Sequence, residues 1–276
     1  MGNMHLPRKP ARLLPFAVAV LLTTVSAHSQ LEHKGPANSI ALAATLPPFD
    51  VSSVKQNISG DGSFGMGFHN EVFTATNVPL KNILEFAYDV KEDQIFGLSG
   101  PVSSAQFDIN AKVVPANGGP PPKLTDTQLA AMLIPLLADR FHLKAHLQPK
   151  TLPVYDLVVT HGGPKIKLSQ SERTDSSWNL NGQNNDKVLT AKSASMADLA
   201  QALSDEVHRQ VNDKTGLTGA ADITLKWSDE VAADQGGPNT ISIFTAVEEQ
   251  LGLKLQPAKG PVETLVIDHV EMPTAN

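Results

Sequence analysis

Two stretches of the chain carry the same pattern of apolar and polar positions. Phe73-Thr-Ala-Thr-Asn-Val-Pro-Leu80 is followed by Ile83, Leu84, Ala87 and Tyr88, and Leu189-Thr-Ala-Lys-Ser-Ala-Ser-Met196 by Leu199, Ala200 and Leu203. Each predicts a short strand ending in Thr-Ala, then a helix with apolar residues at i, i+3, i+4 and i+7. Pro79 suits the first turn of one helix, and Ser195 with Asp198 supplies an N-cap for the other. The parallel continues. Strands follow around Gln94-Ile95 and Gln210-Val211, and after a Gly-containing turn Phe107–Lys112 aligns with Ala221–Lys226. Second helices, Thr127–Phe141 and Ile241–Leu251, lead into Leu143-Lys144 and Leu253-Lys254. Then Leu152-Pro-Val-Tyr-Asp-Leu-Val-Val159 matches Gly260-Pro-Val-Glu-Thr-Leu-Val-Ile267. Thr125 and Gln128 form a capping-box pattern, and Pro135 predicts a kink in the helix that contains it.

Each half therefore reads β-α-β-β-α-β-β. The expected class is α+β: two tandem repeats with helices packed on small mixed sheets, arising from an internal duplication. The first repeat is placed at 49–168 and the second at 187–273, with a polar linker at 169–186 and a flexible leader at 28–48. Ala116–Pro122 and Ala232–Asn239 read as loops.

The N-terminus changes the picture of where the chain works. Arg8, Lys9 and Arg12 precede an apolar run from Leu13 to Ala27, which ends on Val25-Ser26-Ala27. Basic region, short apolar core and small-residue exit make residues 1–27 a cleavable secretory signal. The run is too short to span a bilayer, and no later apolar stretch is long enough, so no membrane span is expected after cleavage. Cleavage leaves 19 basic against 28 acidic residues, a net charge of −9. With no stretch rich in Lys and Arg, nucleic acid is not an expected partner. The chain has no Cys, so neither a lipid-anchored Cys nor disulfides are available, and the fold must rest on apolar burial.

Several strings in this chain resemble a family of exported proteins abundant in soil bacteria, especially Acidobacteria, usually described as soil-associated and of unknown function. They are Phe49-Asp-Val-Ser-Ser-Val-Lys55, Phe73-Thr-Ala-Thr-Asn77, Ala138-Asp-Arg-Phe-His-Leu-Lys144, Leu152-Pro-Val-Tyr155, Gly162-Gly-Pro-Lys165, Asp213-Lys-Thr-Gly-Leu-Thr-Gly219, Gly260-Pro-Val-Glu263 and Val266-Ile-Asp-His-Val270. The resemblance covers about Phe49 to Pro273. In some relatives a similar domain follows a membrane metallopeptidase of the beta-lactam-sensor type; no such peptidase is present here, so its zinc chemistry does not carry over. The resemblance implies no activity and no catalytic residues. A weaker resemblance, of pattern only, links Val78–Ile95 to the short N-terminal domains of secretins and TonB-dependent receptors, which are exported α+β modules that bind proteins; fold alone does not fix function.

Candidate chemistry is sparse. Gly60-Asp-Gly-Ser-Phe-Gly65 satisfies G-x-G-x-x-G, yet strand-like sequence follows it, which predicts a glycine-rich hairpin and not a nucleotide cradle. His142 and His146 are placed on a strand, where four residues span about 13 Å, too far to share a metal; solvent-facing histidines are the expectation. Ser52-Ser-Val-Lys55 matches S-x-x-K and Lys214-Thr-Gly216 matches K-T-G, but Ser and Lys need a helical turn to meet. Asp50, Ser52, Asp268 and His269 could form a triad only by geometry that sequence does not give. Asp213–Gly219 reads as a turn needing positive φ at a glycine. No catalytic, cofactor-binding or metal-ligating residue is therefore assigned, and no cofactor. The expected function is an exported, non-enzymatic binding or sensing module of the cell envelope, partnered by an envelope protein or a small exported ligand. A secreted hydrolase is the alternative, and a structural envelope component a third reading.

Overall fold

In a computed structural model, the chain is described at residues 35–59, 62–69, 72–113, 124–169, 177–183, 186–228 and 241–273. The expected signal peptide, Gly60 and Asp61 of the glycine string, and the loops at 116–122 and 232–239 lie outside these residues. The described residues belong to one compact unit, Lys34–Asn276. Its class is α+β.

Three four-stranded sheets make up the structure. The first is antiparallel, with β1 (Val51–Asn57), β5 (Gln106–Lys112), β3 (Val72–Pro79) and β2 (Gly65–His69) in that order. Another antiparallel sheet runs β7 (Lys167–Leu168), β11 (Ala221–Ser228), β9 (Asp186–Ala194) and β8 (Ser177–Gln183). The third is mixed. Its centre is the long antiparallel pair β6 (Lys144–Val159) and β12 (Leu253–His269), flanked by β10 (Val211–Asp213) parallel to β6 and β4 (Ile95–Phe96) parallel to β12.

The strand-then-helix unit is built alike in both halves. In β3 the inward positions Phe73 and Ala75 are followed by a register shift before Val78. Asn77 takes a left-handed φ of 57° there, and its N–H donates to Asp108 Oδ1 on β5 at 2.9 Å. In β9 Ser193 takes φ 52°, and its N–H donates to Asp222 Oδ1 on β11 at 3.2 Å. Both are bulges in which a neighbouring carboxylate catches the amide that the ladder leaves over. Helix α2 (Leu80–Tyr88) follows the first bulge and α6 (Met196–Glu206) the second. Leu80, Ile83, Leu84 and Ala87 are buried on one side, as are Met196, Leu199, Ala200 and Leu203. Ser195 accepts from the Asp198 N–H at 3.1 Å while Asp198 accepts from the Ser195 N–H at 3.0 Å, closing the capping box. Ile83 and Leu199 have no exposure, so Ile83→Ala and Leu199→Ala should each cost about 2–5 kcal/mol in denaturant unfolding.

The second helix of the first half is interrupted at Met132, which keeps helical angles of φ −63° and ψ −17°. Thr125 and Gln128 cap α4 (Asp126–Ala131), and α5 (Leu133–Arg140) begins after Met132. Pro135 has no N–H, and its ring collides with the carbonyl four residues back, at Ala131; the interruption falls there. In the second half α7 (Ile243–Leu251) runs unbroken from its Ser242 cap to Gly252 at φ 65°. A Cβ on Gly252 would lie 2.2 Å from the Gly163 carbonyl oxygen, so both backbone angle and space require glycine.

Three expectations need correction. The two strands read at the end of each half are single strands, β6 and β12, so each half ends β-α-β. The prolines within these strands sit where a strand tolerates them. The Tyr155 N–H points away from β12 and donates to Gln210 O at 2.9 Å. Pro149 and Pro153 are an even number of residues from Tyr155, so their nitrogens point the same way. Pro257 lies directly opposite Tyr155, and Pro257 and Pro261 likewise turn their nitrogens outward. Edge strands β10 and β4 pair only with Tyr155–Leu157 and Leu265–Val266, so no ladder bond is lost. Second, the polar linker at 169–186 contains β8, whose Ser177–Gln183 pairs along β9; polar alternation reflects an edge strand. Third, the leader at 28–48 contains helix α1 (Pro36–Ala43), with Pro36 and Ser39 buried.

The two halves are interlocked. One core joins the inner faces of the first sheet, α2 and α5 to Leu265 and Ile267 of β12. The other joins the β7–β8 sheet, α6 and α7 to Leu157 of β6. Each half thus places strand residues in the other's core.

Candidate functional site

A cleft of about 690 Å³ opens beside α2, bounded by residues of α1, β2, α4 and the turn after α6. This volume is in the range of small-molecule sites. Phe64, Met66, Phe86, Val90 and Ala130 form its apolar wall. Phe86 is held from behind: its ring centroid lies 6.0 Å from Phe68 and 6.2 Å from Phe73, and Phe68 and Phe73 are 5.1 Å apart. Phe64, at the cleft, is 64% exposed. The wall is therefore a rigid aromatic stack with one ring left open to solvent.

The polar side is mainly acidic. Glu85 projects from α2, Asp89 ends that helix at φ 52°, Glu92 opens the following 3₁₀ turn, and Asp126 begins α4. The two cations closest to this group are committed. Lys91 pairs with Asp205 of α6, and Lys81 with Glu92 at 2.6 Å. Glu85 Oε2 accepts from Asn82 Nδ2 at 3.2 Å. Burial pushes the Glu85 carboxyl above its ordinary value; Lys81 pulls it back and Glu92 adds to the rise. A second, smaller and more polar pocket of about 250 Å³ shares Asp89 and Lys91 with this cleft and is lined by Gln94, Gln201 and Gln210.

The Glu85 shift fixes a sign. The folded state binds the proton more readily than the unfolded chain, so this group favours folding below the ordinary 4.5 and loses that contribution as pH rises through the raised value. Glu85→Gln should therefore melt higher than the native chain near pH 7, with the difference shrinking toward about pH 4 in melting curves.

The strings noted in the sequence lie elsewhere. Ser52 and Lys55 are both on β1, three residues apart on a strand and so on opposite faces. Ser52 Oγ accepts from Arg140 at 3.2 Å. His146 lies on β6, but His142 is in the turn before it at φ 50°. Each histidine meets a carboxylate: His142 Nδ1 is 3.0 Å from Glu271, His146 Nδ1 2.8 Å from Asp268, and His269 Nε2 2.9 Å from Glu271. Hydrogen bonds from His142 and His269 hold the Glu271 carboxyl below its ordinary value. Asp268 and His269 are thus engaged with His146 and Glu271, while the Asp50 N–H donates to Lys112 O at 3.0 Å; the four residues weighed as a triad are not joined by these bonds. Among the described residues no group of three His, Asp or Glu is placed to hold a metal ion, and no helix is long and apolar enough to cross a membrane.

In Lys214-Thr-Gly216, Asp213 Oδ1 accepts from the Thr215 N–H at 2.9 Å and Oγ1 at 2.8 Å, and Gly216 and Gly219 adopt φ of 66° and 97°. That is a turn built on side-chain-to-backbone bonds. In the glycine string, β2 starts at Gly65, so strand follows where a phosphate site would need a helix.

The cleft residues carried no such string. Asn82 and Glu85 lie on α2 outside its buried stripe, a placement that any amphipathic helix shows. Only Phe86, apolar but outside the buried stripe, hinted at a second face.

Fold and site together define an α+β protein of three interlocked sheets with an apolar-walled, acidic cleft beside its first long helix. The chain belongs to the family described as "Protein of unknown function (DUF3738)", which matches residues 81–270. No curated protein and no solved structure matches it.

Proposed function

We propose that this chain is an exported, non-enzymatic binding or sensing module of the bacterial envelope, which holds its ligand in the cleft beside α2. The cleft carries this reading: about 690 Å³, lined by both aromatic rings and carboxylates, with Phe86 stacked on Phe68. Export is supported by the charged, apolar and small-residue parts of residues 1–27 and by the resemblance to exported soil-bacterial proteins. The exposed strings that suggested hydrolysis are engaged in strand pairing and turns, which favours binding over turnover.

The test is ligand capture. The mature chain is equilibrated with an envelope extract, washed and examined by mass spectrometry. A small compound retained by the native chain and lost by Phe64→Ala, which alters only an exposed ring, is the expected result. Turnover of a peptide, glycan or ester panel, undiminished by Phe64→Ala, would contradict the reading and favour a hydrolase.

A further inference from the structure

We propose that the cleft takes a small organic cation bearing an apolar arm, such as a primary ammonium joined to an aromatic ring. The inference rests on the cleft being the ligand site, and adds the chemical class of what it holds.

The argument is charge against shape. Four carboxylates, Glu85, Asp89, Glu92 and Asp126, are among the residues that line the cleft, with Lys91 and His208. Lys91 is paired with Asp205 and Lys81 with Glu92; burial raises the Glu85 carboxyl, and Lys81, His208 and Lys91 each lower it without cancelling that rise. Among the described residues no ion pair reaches Glu85, whose partner is the neutral amide of Asn82. A half-buried carboxylate facing a cavity gains a charge-assisted hydrogen bond when an ammonium enters, and the bond strengthens as water leaves. An anionic ligand would have to displace water from four carboxylates, with only Lys91 and His208 among the lining residues to meet it.

The apolar part of the lining selects the rest of the ligand. Phe64, Met66 and Phe86 present an apolar surface next to Glu85, and Phe86 is fixed by Phe68 and Phe73. An exposed ring such as Phe64 gains by covering an apolar arm, and an aromatic face also attracts a cation. Glu85 and Phe86 are neighbours on α2 and both line the cleft, so charge and apolar contact are adjacent.

The probes are phenethylammonium, its neutral counterpart phenylethyl alcohol and the anion phenylacetate, titrated into the mature full chain and followed by amide NMR shifts. The ammonium should saturate shifts at Asn82, Glu85, Asp126 and Ala130, and bind about tenfold or more tighter than the alcohol. Glu85→Gln, near-isosteric, should reduce ammonium affinity by about tenfold while leaving the alcohol unchanged. Phe64→Ala should weaken both. If the alcohol or the carboxylate binds in the cleft as tightly as the ammonium, the cation inference is overturned while the cleft remains a ligand site. If no probe shifts cleft residues, the cation inference falls, and the cleft reading falls with it when the envelope extract also leaves those shifts unmoved.

Discussion

Expressed separately, residues 49–168 and 187–273 should each fail to fold. The first fragment lacks Leu265 and Ile267, which complete its core, and the second lacks Leu157. Each also loses the long partner of the central pair: β6 without β12, or the reverse, leaves its backbone donors and acceptors along the shared edge unpaired. Neither fragment can form the parallel contacts of β4 or β10, because β4 pairs with β12 and β10 with β6. Far-ultraviolet circular dichroism and amide dispersion should show unfolded chains, and mixing the two fragments should restore structure. A cooperative thermal transition in either fragment alone, near that of the intact chain, would mean that the halves are independent.

The second large effect is expected at Phe107. Its side chain is fully buried on β5 and meets Phe141 edge-on, with ring centroids 5.0 Å apart and planes at 85°. Phe141 closes α5, so this contact ties sheet to helix. Truncation removes a large ring and leaves a cavity between elements that cannot both collapse into it. Phe107→Ala should cost about 3–5 kcal/mol, read as a lower urea midpoint with little change in slope. A change under about 1 kcal/mol would show that the site relaxes freely.

Much of this local structure was legible in the chain. The apolar stripes of α2 and α6 required one buried side, Ser195 and Asp198 announced a cap, and Pro135 announced a disruption. Each rests on interactions within a few residues. What was not legible depends on partners far away. Leu143-Lys144 and Leu152–Val159 read as two strands where β6 is one, because a sequence does not show which edge of a strand is unpaired and can carry a proline. Ser177–Gln183 read as linker, because its strand character comes from pairing with β9. The exchange of strands between halves rests on contacts more than a hundred residues apart, such as Leu265 beside Ile95.

The cleft was invisible for the same reason. Its lining comes from α1, Phe64 and β2, α2 and the turn after it, α4 and His208, segments far apart in the chain that carry no shared motif. The histidines had the opposite fate: His142 and His146 stood out by spacing, but the turn at His142 and the carboxylates of Glu271 and Asp268 absorb them.

Hydrogen–deuterium exchange of the mature chain, with and without envelope extract, tests the central claim that the cleft is where this protein acts. Added protection is expected in α2 and the turn after it, in α4 and around His208, with the rest of the molecule unchanged. Protection confined to other surfaces, such as the outer edges of β2 or β8, would contradict it.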